Sequence, residues 1–147
     1  KKAKEGILPI THKEMTRFNI TLNEGVEMVI DALRNNKGGE IYVPKIPSYR
    51  IMDVANAIGP SCEKRITGIR PGEKIHEEMI TTSDSENTLE LKNNYIILPY
   101  LDKKYTSYYK KKFKAVKVEK NFFYRSNSTK KFLSIKDLKN LLKIYKK

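Results

Sequence analysis

Two stretches of helical period, each closed by its own stop signal, set the size of every element this chain can build. Thr21-Leu22-Asn23-Glu24 is a capping box, in which the Thr21 hydroxyl can accept from the Glu24 amide while the Glu24 carboxylate reaches back. Apolar residues follow at Val26, Val29, Ile30 and Leu33, the spacing of one helix face. Asn35-Asn36-Lys37-Gly38-Gly39 then stops that helix. A second helix carries Ile51, Val54, Ala55 and Ile58 and ends at Gly59-Pro60. Around these helices the strand signals are short. Ile7 to Ile10 reads as an edge strand, because Pro9 cannot donate to a ladder. Residues 40–43, cut by Pro44 and Pro47, residues 64–69 and residues 95–98 read as further strands.

The rest of the chain is less regular. Ile75 and Met79, four apart, predict a short helix after the turn at 70–74. Residues 81–86 read as loop, and 105–123 are basic and aromatic with no clear period. Ser134-Ile135-Lys136-Asp137 caps a last helix with Leu138, Leu141, Leu142 and Tyr145 on one face. Strands and helices alternate, which makes the fold class α/β or α+β. No GxGxxG, GxxGxxG or GxxxxGK[ST] follows any strand, so the chain carries no dinucleotide or P-loop fingerprint of its own.

Charge is unevenly placed. The 147 residues carry 30 Lys+Arg against 17 Asp+Glu, a formal net charge of +13. Residues 1–100 are balanced at 14 basic and 14 acidic, so the whole excess lies in residues 101–147. That segment reads either as a polyanion or acidic-membrane contact or as a solvated Lys-rich surface. Interleaved Tyr108-Tyr109-Lys110-Lys111-Lys112-Phe113 adds a single-strand nucleic-acid reading, that of a basic nucleic-acid-binding accessory protein. No apolar run approaches a membrane span, and no secretory leader pattern opens the sequence. The single Cys62 excludes a disulfide scaffold and fits a reducing compartment, so the expected location is cytoplasmic. His12 and His76 lie far apart with no ligand cluster around them, so no metal is expected. The chain begins at Lys1 without Met and reaches a strand within six residues, as the end of a longer protein would.

Two places suggest binding. In Arg70-Pro71-Gly72-Glu73-Lys74, proline fixes φ and glycine permits unusual angles, giving a rigid turn. It sets Arg70 and Glu73 three apart, and an arginine can grip a diphosphate with two parallel N–H bonds. The same pattern also describes a surface turn with a local ion pair. Arg17, between an edge strand and a helix start, is the second place, and it also reads as a plain surface charge. Glu77-Glu78 reads as a solvated face.

Taken together, LPITHKEMTRF, ITLNEGVEMV, GGEIYVPKIPSYRIMDVANAI and GIRPGEKIHEEMI, with the ending NFFYRSNSTKKFLSIKDLKNLL, resemble the C-terminal part of the inverting UDP-N-acetylglucosamine 4,6-dehydratases. This bacterial family begins pseudaminic acid synthesis for flagellin glycosylation. The resemblance implies an extended short-chain dehydrogenase/reductase. An N-terminal Rossmann half binds NADP and supplies catalytic Asp, Lys and Tyr, the last two in YxxxK spacing. A smaller C-terminal half clamps the UDP-sugar. The intact enzyme would oxidise C4, eliminate water across C5–C6 and return the hydride at C6 with inversion at C5. This chain has no YxxxK in the family's place, and so no catalytic residue. The resemblance places Arg17 and Arg70 on the diphosphate, Glu73 on the ribose, and the backbone of Ile7, Leu8 and Pro9 against the uracil. It implies residues 1–100 as the UDP-sugar-binding region and 101–147 as a Lys-rich segment ending in a helix, with short elements and no complete Rossmann sheet. The implied partners are UDP-N-acetylglucosamine, the N-terminal Rossmann half and further copies in a homo-oligomer, with no specific nucleic acid. Such a half is expected to fold poorly alone. A UDP-sugar 4-epimerase or a retaining dehydratase of capsule synthesis would resemble it closely. His12 stands where the family usually has Asp, and Asn19 where it has an aromatic.

Overall fold

A computed structural model describes residues 2–100 and 102–144. In chain order the elements are β1 (Ile7–Ile10), β2 (Thr16–Phe18), α1 (Leu22–Asn35), β3 (Ile41–Pro44), β4 (Ser48–Arg50), α2 (Ile51–Ile58) and β5 (Glu63–Ile66). They continue with β6 (Glu78–Ile80), β7 (Thr88–Glu90), β8 (Asn94–Ile97), α3 (Lys103–Phe113), β9 (Val116–Lys117), β10 (Tyr124–Arg125) and α4 (Ile135–Ile144). Single 3-10 turns precede β1 and β7. This is the expected mixture of short strands and helices with no complete Rossmann sheet.

The described residues form two compact units. The first draws on Lys1–Asn19, Ile46–Glu77 and Arg125–Lys147. In it β1 pairs in parallel with β5, Ile7 opposite Glu63 and Ile10 opposite Ile66. β1 is therefore an edge, which is where Pro9 can be tolerated. β2 pairs antiparallel with β4, Arg17 opposite Tyr49. The far edge of β2 takes the 75–76 segment, with Thr16 N donating to Ile75 O at 3.1 Å. The far edge of β4 takes 131–133, through Ser48 N to Lys131 O at 3.0 Å and Leu133 N to Ser48 O at 2.8 Å. α2 packs on α4, which Ser134 and Asp137 cap as predicted. Ile10, Met15, Ala55 and Leu138 are buried in this unit. Tyr145, expected on the face of α4, lies outside the described residues.

The second unit draws on Ile20–Lys45 and Glu78–Tyr124. Its sheet runs β3-β8-β7-β9, antiparallel throughout. Leu89, Ile96, Leu98, Tyr109 and Ala115 form its core. The capping box of α1 is present, with Thr21 N donating to Glu24 Oε2 at 2.8 Å.

Three local expectations need correction. The short helix predicted from Ile75 and Met79 is extended chain: His76 bridges to Thr16 and 78–80 is β6. Its backbone is held by partners far away in sequence, since Ser126 N donates to Glu77 O at 2.8 Å. Residues 82–87 are a 3-10 helix with its own Thr81–Asp84 capping box rather than loop. The basic aromatic stretch begins with a true helix, α3, capped by Asp102 accepting from Lys104 N at 2.7 Å. Its inner face is Tyr105, Tyr108, Tyr109 and Phe113, a helical spacing written in tyrosine instead of leucine.

Glu40 ties this unit together. Its carboxylate accepts from Tyr109 Oη at 2.7 Å and from the amides of Lys37 and Gly38, at the end of α1. Burial pulls its pKa upward, but these hydrogen bonds outweigh burial and leave it below the usual 4.5. A lowered folded pKa means stability that is complete above the unfolded value and is lost as pH falls through the folded one. Tyr109→Phe is expected to cost about 1–3 kcal/mol at neutral pH and to flatten that acid-side loss. Urea denaturation between pH 3 and 7 measures both.

Candidate functional site

The site is assembled where β2 meets the 70–77 segment, inside the first unit. Successive strand residues point to opposite faces. Thr16 turns into the protein, 4% exposed, and Arg17 turns to the other side. Arg17 Nη1 donates to Thr16 O at 2.7 Å and to Ile75 O at 3.1 Å. Its Nε lies 3.2 Å from Glu77 Oε1, and its Nη2 lies 3.7 Å from Glu73 Oε1. An arginine has five N–H donors. Nη1 is hydrogen bonded to two carbonyls and Nε is ion-paired with Glu77, while among the described residues Nη2 has only its 3.7 Å ion pair with Glu73 and no hydrogen bond.

The turn is as rigid as its sequence predicts. Glu73 N donates to Arg70 O at 3.0 Å, and Gly72 has φ +79°. Proline at the second position and a left-handed glycine at the third define a type II turn. Glu73 Oε2 accepts from the Arg70 amide at 3.3 Å, so this carboxylate closes its own turn and also faces Arg17. The expected local pairing of Arg70 with Glu73 therefore runs through the Arg70 backbone. The Arg70 side chain is exposed, and among the described residues its guanidinium has no hydrogen bond or ion pair.

Arg17, Arg70 and Glu73 are thus brought together. Ile7, Leu8 and Pro9 sit on β1, beside the strand β5 that leads through Gly68 into the turn. Thr67 N donates to Ile10 O at 2.8 Å, fixing that approach. Among the described residues β1 is paired on one side only, leaving backbone on the other. Glu77, which the sequence reads as part of a solvated face with Glu78, is instead ion-paired with Arg17. No local spacing announces a contact across 60 residues. Thr16, His76 and Ser126, hydrogen bonded to one another behind Arg17, were equally hidden.

Other candidates gain nothing from the geometry. His12 Nδ1 accepts from Glu14 N at 3.2 Å, and among the described residues no group of three His, Cys, Asp or Glu converges. The tyrosines of α3 pack into the second unit's core, with Tyr109 fully buried, so they are not a platform for bases. Among the described residues no helix is long and apolar enough to cross a membrane.

A family model described as polysaccharide biosynthesis protein matches residues 1–99. The UDP-N-acetylglucosamine 4,6-dehydratase (inverting) of Campylobacter jejuni is 50% identical over 92 residues, 63% of this chain and 28% of that protein. The UDP-glucose 4-epimerase of Rickettsia typhi is 33% identical over 140 residues, 92% of this chain and 40% of that protein. Among solved structures, Pen from Bacillus thuringiensis superposes with a TM-score of 0.76 at 27% identity, over 97% of this chain and 42% of that one. The chain therefore spans well under half the length of each of these relatives.

The turn itself can be tested. A Cβ on Gly72 would meet nothing within 4 Å, so only the positive φ resists a side chain there. Gly72→Ala is expected to destabilise the chain by about 1 kcal/mol in chemical denaturation, purely through backbone strain.

Proposed function

The chain belongs to the polysaccharide biosynthesis protein family, and from that premise we propose that it is the part of a UDP-N-acetylglucosamine 4,6-dehydratase that grips the UDP-sugar. The observation that carries this reading is a pair of arginine groups, Arg17 Nη2 and the Arg70 guanidinium, that have no hydrogen bond among the described residues. Arg17 offers Nη2, held in direction by its committed Nη1 and Nε. Arg70 offers its whole guanidinium from a type II turn. Two forks fixed on two adjoining segments suit a diphosphate, whose oxygens accept bidentate N–H bonds. The Campylobacter and Rickettsia relatives are both named for a UDP-sugar, and UDP is the portion a diphosphate clamp would hold. Glu73, which faces Arg17 Nη2 and accepts from the Arg70 amide, would accept a ribose hydroxyl, and the β1 edge left unpaired among the described residues would offer backbone groups to the uracil.

The chemistry lies elsewhere in the intact protein. NADP would supply hydride transfer when bound. Among the described residues no strand is followed by a glycine-rich turn opening a helix: α1 starts from the Thr21 capping box and α2 from Arg50. These residues do not fit a dinucleotide, so no step is assigned to them. An N-terminal Rossmann half is the proposed holder of the cofactor and the catalytic groups. The α1 helix supports such a partner. Leu22, Val26, Val29 and Leu33 are 49–78% exposed along one stripe, and the helix buries none of its own residues. A capped helix with an uncovered apolar stripe is a face built for packing. A cytoplasmic, homo-oligomeric enzyme supplying pseudaminic acid for flagellin glycosylation is the finer form of the proposal.

Isothermal titration of the chain with UDP tests the grip. Arg70→Ala is expected to weaken UDP by about tenfold or more, with Arg70→Lys recovering little because an ammonium cannot fork. In the intact enzyme the same change raises KM for the UDP-sugar. Unchanged affinity in Arg70→Ala contradicts the proposal.

A further inference from the structure

Behind the Arg17 clamp, on the buried side of β2, three polar side chains from distant parts of the sequence form one hydrogen-bonded unit. Thr16 Oγ1 lies 2.9 Å from His76 Nδ1 and 2.6 Å from Ser126 Oγ. Ser126 Oγ also accepts from Glu77 N at 3.0 Å and donates to Thr16 O at 3.2 Å. Its own amide donates to Glu77 O at 2.8 Å. Ser126 is fully buried and Thr16 is 4% exposed, so no solvent is at hand to replace a lost partner. The serine is delivered by a closed turn, in which Arg125 N donates to Ser128 Oγ at 3.0 Å and Ser128 N to Arg125 O at 3.0 Å.

Ser126 bridges the same two segments as Arg17, from the opposite face. Arg17 takes Thr16 O from β2 and Ile75 O and Glu77 from the 75–77 segment. Ser126 takes Thr16 from β2 and Glu77 from 75–77. Three contacts aim the guanidinium: the one to Thr16 O lies within β2, and the two to Ile75 O and Glu77 depend on the spacing of the segments. We propose that Ser126 is a positioning residue for the Arg17 clamp: its hydroxyl, through Thr16 and Glu77, locks β2 to the 75–77 segment so that Arg17 Nη2 stays directed at its anion. This rests on the reading of Arg17 as a diphosphate ligand. It gives a defined task to a residue of the C-terminal segment, which the sequence reads only as a polyanion contact or a solvated Lys-rich surface.

Hydrogen-bond counting supports the lock. The Thr16 hydroxyl has one proton and two polar neighbours. With the Ser126 proton given to Thr16 O, Thr16 donates to Ser126 Oγ and accepts from His76 Nδ1–H, so neither hydroxyl is left unpaired. Removing the Ser126 hydroxyl leaves the Glu77 amide and one side of Thr16 without partners in a dry site, which drives the segments to rearrange.

The test uses the full 147-residue chain and two readouts. The first is solvent exchange of the Arg17 side-chain Nε–H by NMR, which needs no ligand. Ser126→Ala and the shape-preserving Thr16→Val are expected to speed that exchange by about tenfold, while Thr16→Ser, which keeps the hydroxyl, restores the slow rate. The second is UDP titration: Ser126→Ala is expected to weaken binding by about tenfold, and this loss disappears in an Arg17→Ala background, as coupling through Arg17 requires. A folded Ser126→Ala chain with unchanged Arg17 exchange overturns the proposal, as does Thr16→Ser behaving like Thr16→Val. If Ser126→Ala fails to fold, the two Thr16 variants decide the question. If Arg17→Ala leaves UDP binding intact while Ser126→Ala still speeds exchange, the lock stands and the UDP reading fails.

Discussion

One partly buried guanidinium organises the candidate site. Arg17 sits on the central strand of a small ribbon and reaches across to a segment some 60 residues later, spending three donors on two carbonyls and a carboxylate. A half-buried cation needs such partners, because desolvation without them costs more than the charge can recover. The arrangement fixes where the 70–77 segment runs and therefore where the type II turn projects Arg70. Glu73 closes that turn through the Arg70 amide and faces Arg17 at the same time. One ion-pair cluster thus holds the Arg17 guanidinium and the Arg70 backbone, while the Arg70 side chain is exposed and has no hydrogen bond or ion pair among the described residues.

The large positive charge of the chain has a different setting. It lies almost entirely in residues 101–147, on α3 and beyond, and the aromatic side chains among those lysines point inward. Tyr109 is fully buried, and burial with hydrogen bonds to Tyr42 and Glu40 pushes its hydroxyl far above the usual tyrosine range. Lys112 is drawn to Asn35 and Tyr108. The lysines decorate a tyrosine-cored helix whose job is to close the second unit. Of the 16 basic residues in 101–147, eight lie in 103–120 in the second unit and eight in 125–147 in the first, while the candidate site itself carries two arginines and two glutamates and is close to neutral.

What could be read in the sequence was what is local. Capping boxes at Thr21–Glu24 and Ser134–Asp137 and the stop at Gly59 mark helix ends by contacts within four residues, and each helix lies where those signals put it. The Arg70–Glu73 turn was legible for the same reason, since proline and glycine determine its angles without outside help. The errors share one cause. Residues 75–80 carry a spacing that suits a helix, but Thr16 and Ser126 take their backbone groups into ladders, and nothing nearby in sequence says so. The α3 helix was hidden because its inner face is tyrosine rather than aliphatic. At the site, Arg17, Arg70 and Glu73 came from composition at a turn and from family resemblance. Glu77, Thr16, His76 and Ser126 could not, being joined only by the fold.

The role proposed for the surface around Arg17 and the 70–73 turn is to hold the UDP portion of a sugar nucleotide. The most direct measurement is amide and arginine side-chain NMR of the chain titrated with UDP. Saturable shifts are expected at Arg17, Arg70, Gly72 and Glu73, extending to the backbone of Ile7 and Leu8. Shifts confined to the lysines of α3, or no shifts at all, would contradict it.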